Sequence, residues 1–129
     1  TKPQVPSFIF KSDQVLISIA AKDFSFIAEE NLSSIFSCFA DLGVKMNLMQ
    51  NSAISFSVCI DDDAFKTPKL IELLKKDYWV RYNAGLQLYT IRYYYPSTIE
   101  TLSQGRDILL EQRSRTTAQI VMKEAEKPA

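Results

Sequence analysis

Across residues 14–94 the apolar residues repeat with one period and then another, in the order two, 3.6, two, two, 3.6, two. A period of two marks a half-buried strand, and a period of 3.6 marks the apolar face of a helix. In VLISIAA, residues 15–21, Val15, Ile17 and Ile19 share one face and Leu16 takes the other. A connection follows over residues 22–30, carrying Phe24, Phe26 and Ile27. Leu32, Ile35, Phe36, Phe39 and Ala40 then fall at i, i+3, i+4, i+7 and i+8, one face of a helix. Asn31 is suited to cap that helix and Gly43 to stop it. Residues 44–49 alternate again, with Val44, Met46 and Leu48 on one face and Lys45, Asn47 and Met49 on the other. The turn formers Gln50, Asn51 and Ser52 lead into Ile54, Phe56, Val58 and Ile60, which predicts an antiparallel hairpin. Thr67-Pro68 opens a second helix with Leu70, Ile71, Leu73 and Leu74 as its apolar face. Asn83-Ala84-Gly85 reads as a turn before an aromatic strand over residues 86–94.

The order β-α-β-β-α-β, with two amphipathic helices that must cover one face of an antiparallel sheet, predicts an α+β fold, a ferredoxin-like βαββαβ sandwich. Residues 1–13 read as a linker with Pro3 and Pro6, followed by a short edge strand at Phe8, Ile9 and Phe10. A weaker copy of the pattern returns 73 positions on: residues 15–19 lie over 88–92, Ile35 and Phe36 over Ile108 and Leu109, Leu48 and Met49 over Val121 and Met122. This predicts a partial second β-α-β unit over residues 86–123 that shares a strand with the first, and a tail at 124–129. Such a half-unit leaves its sheet uncovered, so it must borrow a strand from the N-terminal segment or from another chain. A homodimer is the simple expectation.

Composition narrows the chemistry. Histidine is absent, which removes imidazole catalysis and imidazole metal ligands. The glycines, Gly43, Gly85 and Gly105, are too scattered for a phosphate-cradling loop. Cys38 and Cys59 cannot build a structural zinc site by themselves. Fifteen basic residues balance fifteen acidic ones, so the basic stripe of a nucleic-acid binder is missing. The apolar run 15–21 falls far short of the ~20 residues of a membrane span. Two cysteines without framework spacing suit buried free thiols in a reducing compartment. The start at Thr1 and the lack of a signal peptide point to a piece of a longer cytoplasmic protein. No catalytic residue and no metal site emerges.

Residues 44–61, VKMNLMQNSAISFSVCID, resemble the regulatory ACT domains of aspartate kinase. That family has a hydrophobic–Asn/Asp–hydrophobic step in its second strand, a polar turn ending in Ser, and a next strand like ISFSV. VLISIAA resembles the first strand, NLSSIFSCFADLG the first helix, and Gly85-Leu86 with its aromatic run the last strand. LLEQRSRTTAQIVMK looks like a shortened second ACT unit. The resemblance spans about residues 14–123 and implies an ACT sandwich over 14–94 with a partial ACT-like second unit. It implies a regulatory role: binding lysine or threonine at a paired ACT interface and feeding inhibition to a catalytic domain. That domain, which phosphorylates L-aspartate with ATP and Mg, would lie outside this chain; the chain itself needs no cofactor. The implied partners are the amino-acid effector, the catalytic domain and a second copy, with no nucleic acid and no membrane.

By matching position, the effector-binding residues implied are Ser25, Asn31, Leu32, Met46, Asn47, Asn51 and Ser52. A free amino acid needs donors for its carboxylate and acceptors for its ammonium. A helix start at residues 31–33 offers backbone donors and the positive end of a dipole. Asn47 stands among apolar neighbours in a strand, where Asn is disfavoured, so its amide calls for a partner. Duller roles stand beside these: a cap for Asn31, turn formation for Asn51 and Ser52, core packing for Leu32 and Met46. The family's first loop brings a glycine to the effector, whereas Ala28-Glu29-Glu30-Asn31 has none. Glu29 and Glu30 either face a lysine ammonium or crowd the pocket. Asp61, Asp62 and Asp63 lack the spacing of a calcium loop and read as a solvated turn. Tyr93, Tyr94 and Tyr95 read as interface or edge packing. Competing readings are a ligand-free structural ACT-like dimerisation module and an RNA-binding sheet. The second needs exposed aromatics, whereas Phe56 shares its face with Ile54, Val58 and Ile60 and reads as buried.

Overall fold

The computed structural model describes residues 7–123; the expected linker prolines and tail lie outside the described residues. Six strands and three helices follow in the order β1 (Ser7–Ala21), α1 (Glu29–Leu42), β2 (Leu48–Asn51), β3 (Ser55–Asp61), α2 (Lys66–Asp77), β4 (Tyr78–Arg92), α3 (Pro96–Ser103), β5 (Ile108–Arg113) and β6 (Thr117–Lys123). The chain divides into two compact units, Gln14–Ala84 and a second made of Thr1–Asp13 with Gly85–Ala129. The 15-residue strands β1 and β4 each contribute to both units.

In the unit 14–84 the strand order is β2-β3-β1-β4, the ferredoxin-like arrangement. β1 and β3 run antiparallel with Val15 opposite Ile60, Ile17 opposite Val58 and Ile19 opposite Phe56. Alternation puts all six on one face, where α1 and α2 cover them. The resulting core joins these residues to Ile35, Phe39, Leu70, Ile71, Leu74 and Tyr78. Burying each large side chain contributes roughly 1.5–3 kcal/mol.

Local chemistry sets the helix ends. Gly43 adopts φ 66°, and its N–H and that of Val44 return to the carbonyls of Ala40 and Phe39 at 3.1 and 2.9 Å. That pair closes α1 and needs a left-handed residue at Gly43. At the start of α1 the cap position belongs to Ala28 rather than Asn31. Asn31 sits one turn inside, where its Oδ1 accepts from the Ala28 N–H at 3.0 Å. The buried stripe of α1 is also turned from the expected one. Ile35 and Phe39 are buried with Leu32, Cys38 and Leu42 beside them, while Phe36 is 39% exposed and Ala40 faces outward.

Three strand limits depart from the sequence reading. The second strand starts at Leu48, not at 44, and continues through Gln50 and Asn51, so the turn falls at residues 52–54 and Ile54 is exposed. Phe8, Ile9 and Phe10 belong to the same long strand as residues 15–21. The expected turn at residues 83–85 lies inside β4, where Gly85 takes φ 69° without ending the strand. Asp13 has φ 52° in β1. Both left-handed residues fall at the boundaries between the units.

The second unit has the strand order β1-β4-β6-β5. Its core gathers Ile91, Ile99, Ala118, Ile120 and Met122, with Tyr89, Tyr94 and Leu102 against them. Ile108 and Leu109 lie in a strand, β5, and not on the helix that the repeat predicted; the helix is α3, earlier in the chain. The unit is therefore β-α-β-β, and its remaining strand comes from the N-terminal segment, where the Phe10 ring lies 5.0 Å from that of Tyr89. Cys38 and Cys59 are free thiols. No helix among the described residues is long and apolar enough to cross a membrane.

Candidate functional site

The β1–α1 loop, the start of α1 and the β2–β3 turn meet at one end of the unit 14–84. The Ile27 N–H donates to the Ala53 carbonyl at 3.0 Å and ties loop to turn. Ser52 closes the turn: its N–H donates to the Ser55 carbonyl at 2.9 Å, and its Oγ lies 2.9 Å from Ser55 Oγ. The Ser25 N–H donates to Asp23 Oδ1 at 3.0 Å, and the hydroxyl and N–H of Ser25 hold the Asp23 carboxyl below its ordinary range. Asn31 offers its carbonyl to the Tyr78 hydroxyl at 3.3 Å. Leu32 is half-buried and lines an open groove along α1 with Glu29, Ser33, Phe36, Ser37 and Ala40. Ser25, Asn31, Leu32, Asn51 and Ser52 thus gather where the helix presents the positive end of its dipole. Phe24, in the same loop, holds φ 58°, a costly conformation for a large side chain. Its ring lies 5.6 Å from Trp79, with the Arg81 guanidinium 5.1 Å from the same indole.

Met46 and Asn47 lie at the other end. Asn47 precedes Ser52 by five residues, about 17 Å along a strand. Met46 packs against the core. Asn47 Nδ2 donates to Gln14 Oε1 and to Asp61 Oδ1, each at 2.9 Å, while its backbone N–H donates to the Cys59 carbonyl at 2.8 Å. Gln14 Nε2 completes the cluster with a 2.7 Å bond to Asp61 Oδ1, and Cys59 Sγ reaches Gln14 Oε1 at 3.3 Å. Gln14 is 1% exposed. Asn47 does find the partner its sequence setting asked for, and that partner lies within the chain. Gln14 and Asp61 escaped the sequence reading because nothing local shows that β1 and β3 set them opposite each other.

The three aspartates divide their work. Asp61 joins this cluster, and Asp63 Oδ1 accepts the N–H groups of Phe65 and Lys66 at 2.8 Å each, capping α2. Those bonds hold the Asp63 carboxyl below its usual value of 3.8. A carboxylate with a depressed native pKa adds stability above its unfolded pKa and loses it as pH falls through the native one. Asp63→Ala is therefore expected to destabilise at neutral pH and to converge on the parent chain as pH drops well below 3.8, by urea melts across that range. A gap that stays constant would rule out the carboxylate cap.

The strand order and helix cover define the fold class: an α+β sandwich of the ferredoxin-like, ACT type. No family model matches the sequence, and no curated protein matches it. Solved structures do match. A domain assigned as the C-terminal regulatory domain of aspartate kinase from Porphyromonas gingivalis aligns at TM-score 0.77 and 14% identity, over 92% of this chain and 86% of that one. Clostridium acetobutylicum aspartate kinase aligns at TM-score 0.74 and 18% identity, over 90% of this chain and 30% of that one. E. coli aspartokinase III in complex with lysine and aspartate aligns at 0.68 and 13% identity, over 89% and 28%. The chain thus spans under a third of the whole kinases it matches.

Proposed function

We propose that this chain is an amino-acid-sensing regulatory region of an aspartate kinase, which binds lysine or threonine and passes feedback inhibition to a catalytic domain. The observation that carries the reading is the ACT architecture, matched over nearly the whole chain by a regulatory domain of that enzyme. A lysine complex among the similar structures supports a basic amino-acid effector. ATP with Mg would serve the catalytic domain, in the phosphorylation of L-aspartate. The effector site is assigned to the loop end, with Ser25, Asn31, Leu32, Asn51 and Ser52. Met46 and Asn47 join it only if a second copy brings its own far end to this loop. Pairing through α1 and the edge strand β2 is supported by the groove at Phe36 and Ala40 and by Met49, which is 52% exposed. Inhibition then follows by linkage: an effector that binds one arrangement of paired units better shifts the kinase by about 1–3 kcal/mol per site.

The test is a thermal-shift panel on the purified chain with lysine, threonine, methionine and a non-pathway amino acid. At about 100 times its Kd, the effector stabilises by roughly 2.7 kcal/mol. A selective shift, lost in Asn51→Ala, is the expected outcome. A flat panel with a dimeric chain would favour the second reading, a structural ACT dimerisation module, which the internal use of the Asn47 amide already supports for that end of the unit.

A further inference from the structure

A cavity of about 440 Å³ lies within the unit 14–84, at the opposite end of the strands from the β1–α1 loop. Val15 of β1, Ile71 of α2 and Tyr82 of β4 form its apolar wall, and Asp62, Glu72 and Lys75 stand around its rim. Its volume is in the range of small-molecule sites, which combine apolar walls with a few placed polar groups. Two other polar side chains that border it, Asp63 and Thr67, are spent on the α2 cap. The rim groups are not. Neither Asp62 nor Glu72 forms an ion pair among the described residues. Among the described residues the Lys75 ammonium reaches only the Tyr82 ring, 5.9 Å from its centroid, near the limit of that attraction. Glu72 and Lys75 are three residues apart on α2 and so share a face.

Two unspent carboxylates, one unspent ammonium and an apolar wall with an aromatic ring match one ligand chemistry. We propose that this cavity binds a zwitterionic amino acid with a large apolar side chain. Its ammonium sits against Asp62 and Glu72, its carboxylate turns to Lys75, and its side chain lies on Val15, Ile71 and Tyr82. The site shares no residue with the loop end, and the inference does not rest on the effector reading above.

The test is calorimetric titration of the full 129-residue chain with L-phenylalanine and L-leucine. N-acetyl-L-phenylalanine, which lacks the ammonium, and L-phenylalaninamide, which lacks the carboxylate, serve as probes of the two ends. Saturable binding of a free amino acid is expected. Each blocked derivative should weaken it about tenfold, as should Glu72→Gln and Lys75→Ala, the scale of one lost charge-assisted contact. Asn51→Ala should leave it unchanged. The substituted rim positions are exposed, so circular dichroism should show an intact fold. The proposal is overturned by no saturation up to about 10 mM ligand, or by binding that both rim substitutions leave intact. Binding lost in Asn51→Ala but kept in the rim variants would move the ligand to the loop end and equally sink it. Loss of a lysine or threonine response, by contrast, would touch only the effector reading.

Discussion

Phe56→Ala lowers the free energy of unfolding by about 4 kcal/mol, the largest single effect expected in the unit 14–84. Phe56 is 2% exposed and sits opposite Ile19 on β1 and Asn51 on β2. Its ring meets Phe36 edge-on, centroids 5.6 Å apart at 88°. Truncation removes the buried ring, leaves a hole between two strands and α1, and forfeits an aromatic pair worth roughly 0.5–1.5 kcal/mol. In a chain of this size the melting temperature should fall by about 15 °C. Urea unfolding at constant m-value measures it, and Phe56→Leu should cost far less. A loss below about 1 kcal/mol would mean that Phe56 is not the keystone of this core.

The second large effect concerns the polar cluster at the opposite end. Gln14→Leu keeps the bulk of the side chain but deprives Asn47, Asp61 and Cys59 of their shared partner inside the fold. A cost of about 1–2 kcal/mol is expected, because the Asn47 amide and the buried Cys59 thiol each lose a bond, while Asn47 keeps the one to Asp61. In that background Asn47→Ala should cost at least about 1 kcal/mol less than it does alone, the sign of direct coupling. Additive losses would separate the two residues and reopen Asn47 as a ligand contact.

Much of the fold was legible because β1, β3, α1 and α2 each carry a strong period in consecutive residues. Val15, Ile17, Ile19, Phe56, Val58 and Ile60 were placed on their faces by alternation alone, and Gly43 was placed by its conformational freedom. The misreadings have physical causes. Residues 44–49 alternate as a strand does, but the ladder reaches back only as far as the Asn47 N–H; Val44 is held by the end of α1. Ile108, Leu109 and Leu110 form a run that suits a helix or a strand, and pairing with β6 decided between them. In the site, the loop-end residues came from positions matched to the resembling family, and the Ile27–Ala53 hydrogen bond sets their loop beside their turn. The partners of Asn47 were missed, since Gln14 is 33 residues away and only the register brings it there.

The sharing of β1 and β4 between the units bears on how the chain acquires its structure. Residues 14–84 are contiguous, with strands and helices adjacent in sequence, so this unit can close as soon as it has been synthesised. Residues 7–13 leave the ribosome before it, yet the strands they complete lie beyond residue 85. Through that interval Phe8, Ile9 and Phe10 are an apolar segment whose partner strand in the second unit is not yet made, and they keep 50–57% exposure even afterwards. Pairing across so long a separation is slow, and an unpaired apolar edge is a template for other chains. The earliest part of this fold to be made is thus among the last to be secured. Yield on expression should therefore respond more to the waiting time of that short segment than to the stability of the finished protein.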